Sequence, residues 1–388
     1  MTVSSLNPAH LPLSLYIHLP WCLKKCPYCD FNSHTLRAAV LPEKAYIDAL
    51  LCDLKQDLPL IHDRPLTSIF IGGGTPSLFS GEALHGLLTA IRLLIPFAPQ
   101  IEITLEANPG ALEYDRFEAY LEAGINRLSI GVQSFSSVHL KRLGRIHSAE
   151  QAQIALIEAR QAGFHNINLD LMFALPEQTE TEALADLQQA IALNPTHLSW
   201  YQLTLEPNTV FYKHPPRLPD DDLSCSIQTA GQALLVQHGY AQYEVSAYAQ
   251  SGYACHHNLN YWRFGDYLGI GAGAHGKLTL SDGQIIRTAK TRQPQDYLKR
   301  ENSFLSEKKP VSIASLPFEY MLNRLRLKTP VYFADFEAAT GLNRSSLSSG
   351  LLVAHQKGLV LTTADDMTVT PLGERFLDDV IEGFLEKI

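Results

Sequence analysis

Short apolar runs rich in β-branched residues recur through the first half of the chain, and stretches with helical periodicity separate them. The apolar runs are LSLYIHL from residue 13, TSIFIGGG from 67, IEITLEANPG from 101, NRLSIGVQSF from 126, NINLDLMFAL from 166 and THLSWYQLTL from 196, and the helical stretches include 42–58, 80–95, 113–123 and 179–193. This alternation predicts an α/β fold of parallel βαβ units whose sheet is covered on both faces. Six units predict a partial (β/α)6 barrel, although a doubly wound open sheet would give the same alternation.

The alternation ends at about residue 210. A proline-rich, acidic break, PPRLPDDDLS from residue 215, precedes a predicted helix at 223–238 and then an irregular, aromatic-rich segment. From about residue 310 the pattern predicts three helices and a short hairpin, which is typical of a small winged-helix-like α+β domain. We therefore expect a barrel in residues 1–215, an extension in 216–309 and a C-terminal domain in 310–388.

Charge and hydropathy narrow the possible functions. The 388 residues carry a net charge of −9, which argues against a broad electrostatic grip on nucleic acid or acidic lipid. The last domain has more acidic than basic side chains, so a lid or docking role is favoured over DNA binding. The N-terminus lacks a basic region before its apolar run, and no stretch approaches the roughly 20 apolar residues that span a bilayer. We expect a cytoplasmic location, where thiols stay reduced.

Three of the six cysteines lie close together in the stretch WCLKKCPYCDF, which begins at residue 21. In a reducing compartment, metal binding explains Cys22, Cys26 and Cys29 better than disulfide formation does. Three thiolates on a cubane iron–sulfur cluster leave one iron without a protein ligand, and that open position is available for chemistry. A zinc site completed by Asp30 or His34 is the alternative. The dispersed cysteines are interpreted as ordinary buried thiols: Cys52, Cys225 and Cys255.

Glycine and polar residues cluster at the ends of consecutive predicted strands. They are the Gly72–Thr75 turn, Glu106, Gln133 and Asp170. Each has a structural interpretation on its own, such as a tight turn for the glycines or a capping role for Asp170. In barrels, however, the carboxyl ends of the strands meet at one face, where the βα loops carry the chemistry. Their occurrence on four consecutive units favours one shared site.

These motifs carry a family resemblance. CLKKCPYC resembles the cluster motif of radical S-adenosylmethionine (SAM) proteins, and GGGTPS resembles the glycine motif with which that superfamily holds the methionine end of SAM. YIHLPWC, LEANPG, GVQSF, LGRIHS, NLDLMFALP and HNLNYW resemble the coproporphyrinogen-oxidase-like branch of the superfamily. Together these motifs run from Tyr16 to Trp262, so the resemblance covers most of the chain.

The resemblance implies a [4Fe–4S] cluster on the three clustered cysteines, with SAM bound to the open iron. An electron from a low-potential donor such as flavodoxin would cleave SAM to methionine and a 5′-deoxyadenosyl radical. The positions that match SAM-contacting residues of the family are Tyr16, Gly73, Gly74, Thr75, Glu106, Gln133, Arg145 and Asp170. The residue types suit the ligand, since glycine permits close backbone approach, Glu106 can accept from an ammonium, Arg145 can bind a carboxylate and Asp170 can bind ribose hydroxyls.

Two kinds of protein in this branch are candidates. The oxygen-independent coproporphyrinogen III oxidase, which converts two propionates of its substrate to vinyl groups, has a long N-terminal extension and a fourth cysteine where this chain has Phe31. The shorter relatives are heme chaperones with an H-N-x-x-Y-W motif, which matches HNLNYW here. The resemblance therefore implies a protein that binds heme through His257 and transfers it to heme-requiring proteins. From the residues alone, an ordinary packed histidine at 257, or ligation by His256 or Cys255, stays open.

A second glycine-rich stretch, GIGAGAHG, has a G-x-G-x-x-G spacing at Gly271, Gly273 and Gly276. A dinucleotide-binding fingerprint requires a helix after these glycines. The following KLTLSDGQII predicts a strand and a turn instead. We expect these glycines to shape a loop near the mouth of the barrel.

Overall fold

The structure is a computed structural model that describes residues 6, 8–37, 40–110 and 116–385. The strands are β1 (Leu13–Leu19), β2 (Trp21–Cys22), β3 (His34–Thr35), β4 (Leu66–Gly73), β5 (Phe97–Ala107), β6 (Arg127–Gln133), β7 (Asn166–Phe173), β8 (His197–Gln202), β9 (Ala241–Glu244), β10 (Ala247–Ala249), β11 (Asp266–Ile270), β12 (His275–Thr279), β13 (Ile285–Lys290), β14 (Leu305–Pro310), β15 (Val331–Tyr332), β16 (Val360–Thr362) and β17 (Asp366–Val369). The helices are α1 (Glu43–Asp57), α2 (Gly81–Leu94), α3 (Phe117–Glu122), α4 (Ser137–Arg142), α5 (Ala149–Gln161), α6 (Glu180–Ala192), α7 (Val210–Lys213), α8 (Asp221–Gln237), α9 (His256–Trp262), α10 (Pro294–Tyr297), α11 (Leu316–Arg324), α12 (Phe333–Thr340), α13 (Ser348–Gln356), α14 (Pro371–Arg375) and α15 (Leu377–Glu382).

Six parallel strands form the centre of a 12-stranded sheet in the order β14-β13-β12-β11-β1-β4-β5-β6-β7-β8-β10-β9. From β1 to β8 the spatial order follows the chain order, and each neighbouring pair is parallel. A doubly wound sheet would reverse its strand order at a switch point, and this one does not. The topology confirms the α/β fold and fits the predicted partial (β/α)6 barrel.

The predicted helices between these strands are present, and side-chain caps begin several of them. Ser80 accepts from the Ala83 amide at the start of α2. At α6, Thr179 and Glu182 form a reciprocal capping box, which satisfies two amides that the helix itself cannot. The predicted helix at 113–123 corresponds to α3, and residues 113–115 lie outside the described part of the chain.

The sheet continues on both sides of the six-stranded centre, and the prediction of an irregular aromatic-rich segment was wrong there. β10 pairs antiparallel with β8, while β11 pairs parallel with β1 over five residue pairs. These strands are only three to five residues long and glycine or tyrosine interrupts them, so they lack a clear periodicity. The three-part division at residues 215 and 309 stays a prediction, and strands from its first two parts share this one sheet.

Buried ion pairs attach the later strands to the first half of the chain. Asp266 at the start of β11 accepts from Arg64 and from Lys277, each at 2.9 Å. Lys290 at the end of β13 donates to Asp53 at 2.6 Å and to Asp57 at 2.7 Å, both on α1. Removing one partner from such a pair would leave a buried charge uncompensated, so these contacts fix β11 and β13 against the barrel.

The C-terminal elements pack around a second hydrophobic cluster, which includes Tyr320, Phe336 and Met367 and is joined by Phe264 and Ile285 from the sheet extension. The predicted helices correspond to α11, α12 and α13, and the hairpin corresponds to β16 and β17. The short β15 joins this hairpin in a three-stranded sheet, and α14 and α15 follow; the sequence pattern did not predict these three elements. Within the described part of the chain, no helix is long and apolar enough to cross a membrane.

Candidate cofactor site

The three clustered cysteines lie on a loop at the end of the barrel, and hydrogen bonds anchor this loop on both sides. We call residues 22–33 the cysteine loop. On one side, the Thr75 amide donates to Trp21 O at 2.7 Å, and the Gly74 amide donates to Leu19 O at 2.8 Å. Within the loop, Lys25 Nζ donates to the carbonyls of Phe31 at 3.0 Å and Ser33 at 3.2 Å. The loop therefore has a defined path beside the glycine turn that follows β4.

Asn32 anchors the far side of the cysteine loop. Its Nδ2 donates to Ala272 O at 2.9 Å and to Arg292 O at 2.8 Å, while its Oδ1 accepts from Arg292 Nε at 3.3 Å. A Cβ at Gly273 would lie 2.3 Å from Asn32 Nδ2, so a side chain there would displace the anchor. The GIGAGAHG stretch thus contains the loop against which the cysteine loop packs, between the end of β11 and the start of β12.

One cavity collects almost all of the residues predicted from the cluster and SAM motifs. We call it the cysteine pocket. Its lining includes Cys22, Cys26, Cys29, Gly73, Gly74, Thr75, Glu106, Gln133, Arg145 and Asp170. Tyr16, the remaining predicted SAM contact, lines a neighbouring cavity together with Gly73 and Glu106.

Arg145 crosses the cysteine pocket. Its Nη1 lies 3.6 Å from Cys26 Sγ, and its Nη2 donates to Asn108 Oδ1 at 2.9 Å and to Gly131 O at 2.7 Å. With the guanidinium in this position the pocket has a volume of about 130 Å³, below the roughly 300 Å³ at which small-molecule sites begin. Arg145 thus links the Cys26 thiol to polar groups of the pocket wall.

The glycine turn after β4 has no room for side chains. A Cβ at Gly74 would lie 2.5 Å from Trp21 O. Gly73 has φ +116°, and a Cβ there would meet the His18 ring at 2.5 Å. Its amide donates to Glu106 Oε2 at 3.0 Å. The backbone of this turn is therefore exposed to the cysteine pocket, as close approach to a ligand requires.

Two half-buried carboxyl groups face the cysteine pocket. Burial and the nearby charge of Asp170 raise the pKa of Glu106 to about 7. The hydrogen bond from the Gly73 amide has a smaller, opposite effect and lowers this pKa. Burial raises the pKa of Asp170, although its oxygens accept from Asn168 Nδ2 at 2.8 Å and Ser129 Oγ at 3.2 Å. Both residues lie inside β5 and β7, whereas the sequence pattern placed them just after the strands.

Gln133 ends β6 with a left-handed backbone, at φ 70°. Such a conformation is costly for a residue other than glycine, and it is common where a side chain serves a site. Tyr201 at the end of β8 donates to Gln133 Oε1 at 3.0 Å. Sequence reasoning missed several polar residues of the lining, among them Asn108, Ser129 and Tyr201. The LEANPG motif and the end of β8 are signals that could have found Asn108 and Tyr201, whereas Ser129 lies early in β6 and had no such signal.

The arrangement of the clustered cysteines bears on which metal group they can hold. Within the described residues, no three Cys, His, Asp or Glu side chains lie close enough to hold a single metal ion. A zinc ion needs ligands that converge to about 2.3 Å for sulfur, whereas a cubane cluster spreads three thiolates over three irons. Three thiolates without a fourth protein ligand suit a cubane cluster, which leaves one iron open. The interpretation of the dispersed cysteines was wrong in part, because Cys52 on α1 and Cys225 on α8 are exposed and only Cys255 is buried.

A larger cavity of about 610 Å³ adjoins the cysteine pocket and shares Phe31, Gly73 and Glu106 with it. We call it the side cavity. Its aromatic residues are Tyr16, Phe31 and Tyr261, and its polar residues include His18, Asn32, His275, Lys290 and Arg292. Phe31, at the position of the oxidase's fourth cysteine, is 59% exposed. The volume lies within the usual range for small-molecule sites.

His257 lies behind the wall of the side cavity, at the start of α9. Its ring packs against Tyr16, Phe70 and Tyr261 at centroid distances of 6.5, 5.2 and 5.7 Å. Nδ1 lies 3.1 Å from Ser68 Oγ, and the side chain is 3% exposed. Burial lowers the pKa of His257 to about 4. The structure does not bring this imidazole to the surface of the cavity, and the assignment of His257 as heme ligand stays a prediction.

A parallel barrel with three cysteines on the loop after its first strand, beside a glycine turn, defines the class of radical SAM proteins, and the Radical SAM superfamily model matches residues 16–190. The chain is 53% identical to the heme chaperone HemW of Haemophilus influenzae over 96% of this chain and 98% of that protein. It is 52% identical to HemW of Escherichia coli and 32% identical to HemW of Bacillus subtilis, with coverage of at least 96% of both chains. It belongs to the HemW family.

A solved structure supports the fold. Coproporphyrinogen III oxidase (HemN) from Escherichia coli superimposes with a TM-score of 0.81 at 23% identity, over 97% of this chain and 91% of that one. At this identity the likeness concerns the architecture. Membership of the radical SAM superfamily implies a [4Fe–4S] cluster and SAM as cofactors.

Proposed function

We propose that this protein is a heme chaperone that binds heme and transfers it to heme-requiring acceptor proteins. HemW relatives that align over nearly the whole chain support the proposal. The observation that carries it is the side cavity, which is large and adjoins the cysteine pocket. Heme is a flat apolar ring with two carboxylates, so it needs an aromatic wall and a polar rim, and side chains of both kinds line this cavity.

The proposal includes a SAM-bound [4Fe–4S] cluster in the cysteine pocket, held by Cys22, Cys26 and Cys29. One-electron reduction of SAM is the chemistry that the cluster supplies when it is bound. Glu106 accepts from the ammonium group of SAM, and Asp170 accepts from its ribose hydroxyls. Arg145 would bind the SAM carboxylate from its position in the pocket lining. The geometry supports these roles, since the groups already line one cavity.

The other predicted SAM contacts have supporting roles in this proposal. Gly73, Gly74 and Thr75 present backbone to the ligand, and Gln133 offers its amide from a strained strand end. Tyr16 lines the side cavity beside Gly73 and Glu106, which line both cavities. A low-potential electron donor such as flavodoxin and the heme-accepting proteins are the partners that the proposal requires.

The experiment separates a chaperone from an oxidase. The full chain, loaded with its cluster under anaerobic conditions, is titrated with hemin, and in parallel it is given coproporphyrinogen III, SAM and a reductant. We expect a saturable change in the Soret band and no protoporphyrinogen product. Multiple-turnover decarboxylation of the porphyrinogen would contradict the proposal, as would hemin binding that does not saturate.

A further inference from the structure

Two histidines of the side cavity differ in how available their ring nitrogens are. His275 begins β12, lines the cavity and is exposed, and within the described part of the chain its ring has no hydrogen-bond or ion-pair partner. His18 also lines the cavity, but its Nδ1 lies 3.0 Å from Tyr16 Oη and its Nε2 lies 3.0 Å from Asn32 O. An imidazole must offer a free nitrogen lone pair to bind iron, and His275 does so without any rearrangement.

Among the described residues that line the same cavity, Arg292 is the one Lys or Arg side chain with donor groups free to bind a carboxylate. Arg292 is exposed and uses Nε on Asn32, so its two Nη groups have no partner within the described residues. Lys290 also lines the cavity, but Asp53 and Asp57 neutralise its ammonium group. Asp30 also lines the cavity and is an exposed acid, so it contributes a negative charge there. A guanidinium binds carboxylates in a fork, so Arg292 is the group suited to a propionate.

We propose that His275 is the iron ligand for heme in the side cavity, and that Arg292 binds one of the propionates. This inference rests on the proposed function. The aromatic side chains of Phe31 and Tyr261 provide the apolar wall for the ring. His257, which the sequence motif singles out, packs behind that wall and supports it through Tyr16 and Tyr261.

The test compares single variants of the full, cluster-loaded chain by hemin titration and by optical and EPR spectra. The variants are His275→Ala, His257→Ala and, as a matched control, His85→Ala, which removes an exposed histidine from α2. We expect His275→Ala to weaken hemin binding by at least the roughly 10–100-fold that loss of an outer-shell partner costs a metal site. The heme iron bound to His275→Ala should change its spin state, and added imidazole should restore the wild-type spectrum. A merely structural residue would not give that rescue.

The possible outcomes distinguish the proposed heme-chaperone function from the assignment of His275 as the iron ligand. Failure of the wild-type chain to bind hemin saturably would overturn the proposed function. Saturable wild-type binding with an unchanged spectrum and affinity in His275→Ala would overturn the inference alone. If His257→Ala then loses the spectrum, the motif-based ligand is correct. Since His257 packs against three aromatic rings, its variant is also checked for thermal unfolding, so that a folding defect is not taken for a lost ligand.

Discussion

The cysteine pocket takes its polar groups from consecutive barrel strands and the turns after them, whereas the side cavity takes several of its polar groups from strands and loops beyond residue 270. In the cysteine pocket, Glu106, Asp170 and Arg145 all have hydrogen-bond partners within the chain. In the side cavity, His275 and the two Nη groups of Arg292 have none among the described residues. The comparison teaches that the polar groups of the first site are held within the chain, whereas two groups of the second site are open to a ligand.

The largest effect that we expect comes from the cysteines. Replacement of Cys22, Cys26 and Cys29 by alanine should abolish the cluster, because all three line the cysteine pocket. The cluster content of the reconstituted protein is measured by iron and sulfide analysis and by visible absorption. Cys52→Ala is the control, since Cys52 is exposed on α1. A full cluster in the triple variant would contradict the assignment of the pocket.

Gly74→Ala should distort the cysteine pocket, while the barrel should still fold. The added Cβ would lie 2.5 Å from Trp21 O, so the cysteine loop must shift. We expect a loss of about 1–3 kcal/mol of unfolding free energy, the usual range for overpacking, and strongly weakened SAM binding. Gly86→Ala in α2 is the control, because nothing lies within 4 Å of its Cβ and alanine favours the helix. Chemical denaturation and calorimetry measure both quantities, and equal SAM affinity in the two variants would be inconsistent with this account.

The raised pKa of Glu106, about 7, makes SAM binding depend on pH. Below that pH the carboxyl is protonated and cannot attract an ammonium, so SAM affinity should fall from pH 8 to pH 6 by up to roughly tenfold. Glu106→Gln should remove this dependence, which calorimetry across the range tests; a steep slope that persists in the variant would assign it to another group. Because the folded pKa exceeds the ordinary value of 4.5, the carboxyl also favours the fold at low pH, and that contribution is lost as the pH rises through about 7.

The smallest effect concerns the rim of the side cavity. Arg292 is exposed, and an exposed ion pair contributes up to about 1 kcal/mol, so Arg292→Ala should weaken hemin binding by only about threefold to fivefold. Hemin dimethyl ester, which lacks the carboxylates, should bind the wild type and the variant equally. Arg300→Ala, another exposed arginine nearby in sequence, is the control. A variant that loses affinity for hemin and for the ester alike would refute a propionate contact.

The sequence predicted the cysteine pocket far better than the side cavity. Glu106 and Asp170 could be found because each belongs to a long apolar strand whose end must lie at one face of the barrel. His275 and Arg292 could not, because no motif marks them and only the pairing of β12 with β13 and the contact with Asn32 bring them to the cavity. The contact between Arg145 and Cys26 joins residues 119 positions apart, and no local pattern encodes it. The burial of His257 likewise depends on the packing of α9 against β4, a tertiary fact.

Asn32 joins the cysteine loop to carbonyls 240 and 260 positions later in the chain. The cysteines are synthesised long before Arg292, so their loop gains this anchor only after Arg292 has left the ribosome. A chain truncated before that point has its thiols on a loop without this anchor. The order of synthesis thus separates the appearance of the thiols from the contacts that fix the path of their loop.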